Sequence, residues 1–292
     1  MGEYIIITDS CIDLPADLVA SLGLEYLPLS VKMEDKVYFN YLDEREISFS
    51  DFYRELREKK KTQTAQANPE DFLRILRPHL KQGKDILSIS LSSALSGTYN
   101  SSRIARDELL KEFPDRKIIL IDSLSASMGQ GLLVTYAARM KKTGKNIEEV
   151  AAWVEANKLR ISHLFTVNDL NHLRRGGRLA LIPALLGTIL RVKPLLHVSP
   201  EGKLTVEGKA RGRQSAIDRL FERMVNTIEN SEEQTIYISH GDCIEDAEYL
   251  KNKIIAALPV KEILINYIGP VVGSHSGPGT LAVFFLGNDR IE

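Results

Sequence analysis

The sequence predicts an α/β protein in two domains, residues 1–165 and 166–292, and three observations carry that prediction. Short β-rich runs alternate with helical patterns in the first half, the texture changes near residue 165, and the alternation then resumes to the end. At 292 residues the chain has room for one large core or two smaller ones.

Taken in order, apolar runs at residues 4–7, 26–31, 85–90, 117–121 and 163–167 read as strands of a mainly parallel N-terminal sheet. Asp13 ahead of Pro15 reads as the cap of a helix beginning there. Asn68, Pro69 and Asp71 supply a cap, a first-turn proline and an acid just before Phe72, Leu73, Leu76 and Leu80, so a helix starts there. Pro78 is expected to bend that helix or cut it short. Further helices are expected over 101–112, 132–142 and 148–157, with a sheet covering their apolar positions.

Near residue 165 a basic glycine segment, Leu173 to Arg178, leads into the apolar run 179–190, which lines more than one helical face. That run reads as a core helix wedged between domains, or as the wall of a hydrophobic tunnel at their interface. The C-terminal α/β domain then opens with a β-ribbon, residues 192–198 and 203–209 around the turn Ser199-Pro200-Glu201-Gly202. A helix over 214–228, strand 235–239, helix 244–257 and strand 262–268 follow, and strand 280–286 closes the chain.

Thirty-eight basic residues balance 39 acidic ones, for a formal net charge of -1, so no global field favours nucleic acid or a membrane surface. Cys11 and Cys243 make no disulfide framework and no CxxC pair, so no structural metal is expected. The run 179–190 is too short to span a bilayer and the start of the chain lacks a signal-peptide layout, so a cytoplasmic location is expected. Nucleotide-loop, zinc-protease and nucleophile-elbow motifs are missing, and no cofactor is expected.

Chemistry is expected in four polar loops that follow strand ends. They are residues 8–15, the hydroxyl- and amide-rich loop 62–68, the small-residue loop 90–99 before a helix, and the glycine- and proline-rich loop 269–279 around His275. A helix N-terminus behind Ser96 and Gly97 suits a carboxylate or a phosphate. Ser96 with His275 as base and Asp9 or Asp122 as orienter leaves a serine-dependent acyl hydrolase or acyltransferase open. A regulatory protein that binds a small anion is the other alternative.

These loops also carry a resemblance to the DegV family of bacterial fatty-acid-binding proteins. The motifs are Thr8-Asp9-Ser10 with Asp13-Leu14-Pro15, Ser92-Ser93 with Leu95-Ser96-Gly97-Thr98-Tyr99, Ile121-Asp122-Ser123 with Ser127-Met128-Gly129, Gly176-Gly177-Arg178 with Lys193-Pro194-Leu195, and Gly273 with His275-Ser276-Gly277-Pro278-Gly279. The resemblance implies a two-domain fold with a tunnel between the domains that holds one long-chain fatty acid. It also implies a carrier rather than an enzyme, one that presents the carboxylate to a separate fatty-acid kinase making acyl phosphate for phospholipid synthesis. Carried over residue by residue, it makes Thr64, Ser96, Gly97, His275 and Ser276 ligand-binding, and Arg178, Arg211 and Arg213 candidates for contact with the kinase. Where the family often has Thr-Ser-Gln-Pro, this chain has Thr64-Ala65-Gln66-Ala67, and Thr62 is the other candidate for the hydroxyl.

Overall fold

A computed structural model describes residues 2–179, 192–288 and 290. Its first sheet is all parallel, in the order β2 (Glu25–Leu27), β1 (Tyr4–Asp9), β6 (Asp85–Ser90), β7 (Ile118–Asp122). Every residue of β1 is buried, as a β-branched run covered on both faces requires. Helices α3 (Pro69–Lys81) and α4 (Thr98–Glu112) pack together beside this sheet. Asn68 and Asp71 form a full capping box on α3. Pro78 does not cut α3 short: it sits in the last turn, where a proline removes only one of the final backbone bonds.

The run expected as one strand over 26–31 is broken at Pro28, which cannot donate to a ladder. Its second half, β3 (Ser30–Met33), pairs antiparallel with β4 (Lys36–Phe39) and β5 (Thr62–Ala65) in a small separate sheet. Residues 62–65, expected as loop, are therefore strand. Helix α2 (Phe49–Arg57) lies between β4 and β5 in the chain.

The second large sheet is mixed, in the order β10 (Leu204–Arg211), β9 (Val192–Val198), β8 (Ile161–Thr166), β13 (Leu281–Leu286), β11 (Thr235–His240), β12 (Glu262–Tyr267). The expected ribbon is its β9–β10 pair. The run 163–167, grouped with the first sheet on sequence, instead pairs with β13 and β9, because its partners lie far along the chain. Helices α8 (Arg213–Thr227) and α9 (Ile244–Ala257) cover one face.

Helix α5 (Ser127–Lys142) stands between the two large sheets, contacting β1 on one side and β8, β11 and β13 on the other. It is buried along most of its length, as a helix wedged between layers must be, and α6 (Ile147–Asn157) backs it. The apolar run 179–190, read as core helix or tunnel wall, lies outside the described residues except for Leu179, which is buried and bridges to Leu204. Among the described residues no helix is long and apolar enough to cross a membrane.

Candidate functional site

Short helix α10 (Pro270–Ser276) packs against β3, β5, α2 and α7 (Asn171–Arg175), and an apolar cavity opens beneath it. The segment 269–279, expected as an irregular loop, is thus mostly helix. Pro270 occupies its first position, and Gly277 leaves it with φ of 80°. The cavity encloses about 870 Å³ of atom-free space, open mouth included. Its floor is one face of the six-stranded sheet, where Phe165, Ala282 and Phe284 project, and Leu91, Leu95 and Leu173 close its flanks.

Polar groups gather at the α10 end. Thr64 Oγ1 and His275 Nε2 share a hydrogen bond of 2.8 Å. A Cβ at position 176 would collide with His275 Nδ1, which explains the glycine there. Arg178 donates from Nε to the Leu95 carbonyl at 3.1 Å and from Nη1 to the Gly176 carbonyl at 2.6 Å, tying the two loops together. Burial, with the Arg178 charge beside it, pushes the His275 imidazole down to about 4, so the ring is neutral at neutral pH. Nδ1 of His275 and Oγ of Ser276 are buried with no hydrogen-bond partner among the described residues, and groups in that state call for a ligand or water.

Ser96 Oγ lies 2.9 Å from Thr98 Oγ1 and accepts from the Thr98 amide at 3.3 Å, at the uncapped N-terminus of α4. A Cβ at Gly97 would overlap the Gln66 side chain, so this glycine admits Gln66 to the rim. Gln66 is exposed, and Thr64 and Ser96 are half-buried, so the polar end reaches the surface. Of the two candidate threonines, Thr64 lines the cavity and Thr62 is not among its described lining residues. Arg178 is the one side chain with a fixed charge among those lining residues. Sequence reasoning grouped it with Arg211 and Arg213 as a partner contact. Arg211 is instead exposed at the end of β10, and Arg213 pairs with Asp246 at 2.8 Å; neither lines the cavity.

A serine–histidine–aspartate relay is not assembled. Ser96 bonds to Thr98 and His275 to Thr64, while Asp9 accepts from the Cys11, Leu91 and Gln130 N–H groups. Asp122 accepts from the Ser93 and Leu124 amides. Among the described residues no group of three or more His, Cys, Asp or Glu is placed to hold a metal.

Asp13, expected as a helix cap, makes no cap bond to α1 (Ala16–Leu22). It adopts φ of 51° and turns its buried carboxyl to the Ser127 hydroxyl at 2.6 Å and the Gly269 amide at 3.0 Å. Ser127 in turn meets Ser239 at 3.1 Å. Asp13 thus joins the first sheet to the starts of α5 and α10 and holds α10 over the cavity. Burial raises its carboxyl to about 7. The sequence carries no signal for this role, since an aspartate before Leu14-Pro15 reads equally as a helix cap.

Comparisons with known proteins agree with this architecture. The family model described as "uncharacterised protein, DegV family" matches residues 4–288. A DegV domain-containing protein of Clostridium perfringens is 48% identical over 290 residues, 99% of each chain. Among solved structures, a DegV family protein of Thermus thermophilus described for its fatty acid binding is 32% identical, with a TM-score of 0.88 over 98% of this chain and 100% of that one. One described as DegV, a fatty acid binding protein from Bacillus subtilis, is 26% identical, with a TM-score of 0.83 over 99% of this chain and 100% of that one.

Proposed function

The chain belongs to the DegV family, and from that premise we propose that it binds one long-chain fatty acid. The carboxylate sits among Thr64, Ser96, Arg178, His275 and Ser276, and the tail runs over the sheet face below them. The observation that carries this reading is an apolar cavity with one fixed positive charge among its described lining residues, set beside hydroxyl and imidazole groups at its surface end. A guanidinium and neutral donors satisfy a carboxylate, while each buried methylene contributes about 0.8 kcal/mol before ordering costs. The relatives from Thermus thermophilus and Bacillus subtilis, described as binding fatty acid, support it.

The finer reading is a cytoplasmic carrier that presents the carboxylate to a separate fatty-acid kinase, which forms the acyl phosphate for phospholipid synthesis. The surface position of Gln66, Thr64 and Ser96 supports it, because a second protein can reach the head group there. Exposed Arg211 is then a contact for the kinase; Arg213, committed to Asp246, has less charge to offer. In this reading the second domain begins with β8 at Ile161 rather than at residue 166.

Delipidated protein titrated with a long-chain acid and its methyl ester tests the head-group assignment. The acid binds more tightly, and R178Q abolishes most of the difference, about tenfold or more for one charge-assisted contact. Equal affinity for acid and ester overturns the carboxylate site. Acyl phosphate forms only when kinase and ATP are added. Turnover of an acyl ester by the protein alone, lost in S96A, overturns the carrier reading.

A further inference from the structure

The sheet face under the cavity is laid out in cross-strand rows. Phe165 stands between Ala282 and Leu196, and in the next row His163 stands opposite Phe284. Strand β13 starts at Leu281, a short turn after α10, so the His163 row, opposite Phe284, lies farther along the strand from α10 than the Phe165 row, by about 7 Å at two residues of strand rise. Strands β8 and β9 stay paired only from Thr166 and Leu195 to Leu164 and His197. Beyond that point Arg290 enters, donating from Nε to the Ile161 carbonyl at 3.0 Å and from Nη1 to the Ser199 carbonyl at 3.4 Å.

A second cavity lies at this parting of the strands, with a different character. His197, Arg223, Asn288 and Arg290 line it, together with Ser162 and Leu164 from the opposite face of β8. Two residues, His163 and Val198, line both cavities. His163 is built as a partition: it is 4% exposed, its Nδ1 lies 2.9 Å from the Ile161 carbonyl, and its Nε2 accepts from the Ala126 amide at 3.4 Å. Its ring meets Phe284 edge-on, with centroids 5.3 Å apart. With both nitrogens engaged, the ring offers an acyl tail no unsatisfied polar atom.

We propose that His163 is the end wall of the acyl cavity and sets the longest chain the protein holds, a reading that rests on the fatty-acid site above. The ring lines the apolar space, and past it a tail would meet guanidinium and imidazole groups that gain nothing from a methyl terminus. Removing the ring joins the two cavities. A phenyl ring in its place keeps them apart.

Wild type, H163A, H163F and V198A are delipidated and offered a homologous series of saturated acids in competition, with the retained acids read by mass spectrometry. H163A shifts retention to longer chains, by about fourfold in relative affinity per methylene newly accommodated, and H163F keeps the wild-type profile. V198A gives the same direction of shift and carries the test if H163A does not fold. Folded, loaded variants with the wild-type profile overturn the end wall while leaving the fatty-acid site standing. Wild type that takes up no acid overturns that site, and the wall with it, before any variant is read.

Discussion

Gly129 and Gly131 stand in the first turns of α5, where helix propensity alone favours alanine by about 1 kcal/mol. Both are there for closeness. A Cβ at 131 would lie 2.6 Å from the Ile12 carbonyl oxygen, and one at 129 would collide with His163 Nε2. G131A is therefore expected to lose about 1–3 kcal/mol in urea unfolding, against its propensity; a gain would show that the loop at Ile12 yields freely. His275 and Asp13 act on stability with opposite signs. His275, depressed from 6.5 to about 4 in the fold, contributes stability that is complete above 6.5 and lost as pH falls toward 4. Asp13, raised from 3.8 to about 7, contributes stability that is complete below 3.8 and lost as pH rises through 7. Urea midpoints against pH are expected to fall less on the acid side in H275Q than in wild type, and less toward pH 7 in D13N. Thr64, Ser96 and His275 were legible as polar residues in loop-like sequence, but the inward turn of Asp13 was not, since a capping position and a buried tie share one local pattern.

Among the elements, α10 shows how glycine and proline mislead a reader of sequence. Gly273 stands in the helix because a Cβ there would lie 2.5 Å from Tyr53 Oη and 3.0 Å from Phe52, so it marks the seat of α2 rather than a loop. Tyr53 is fully buried and donates to the Ile268 carbonyl at 2.8 Å, just ahead of α10. Y53F leaves that carbonyl without this donor and is expected to lose about 1 kcal/mol in urea unfolding; an unchanged midpoint would mean the bond does not hold α10. Capping and periodicity made α3 and α9 legible, with α9 over Ile244–Ala257 as expected. The start of α5 was hidden by Gly129 and Gly131, and the sheet to which β8 belongs by pairings such as Thr166 with Leu281, which no local window contains. The small sheet of β3, β4 and β5 was missed because its strands are four residues each and β5 is largely polar.

Across the whole molecule, the cavity draws on residues from Cys11 to Phe284 and is closed only when α5, α10 and the six-stranded sheet are all in place. Its polar end was legible, because hydroxyl, amide and imidazole residues stand out in loops. Its apolar body was not, because Phe165, Ala282 and Phe284 look like any strand residues until the rows are assembled. With a net charge of -1 and one fixed charge among the described lining residues, the proposed binding rests on the cavity rather than on a surface field. Native mass spectrometry of the purified protein, followed by denaturation and identification of what is released, tests the central claim most directly. The account predicts one long-chain fatty acid per chain, released intact without hydrolysis. A protein that emerges empty and stays empty when fatty acid is added would contradict it.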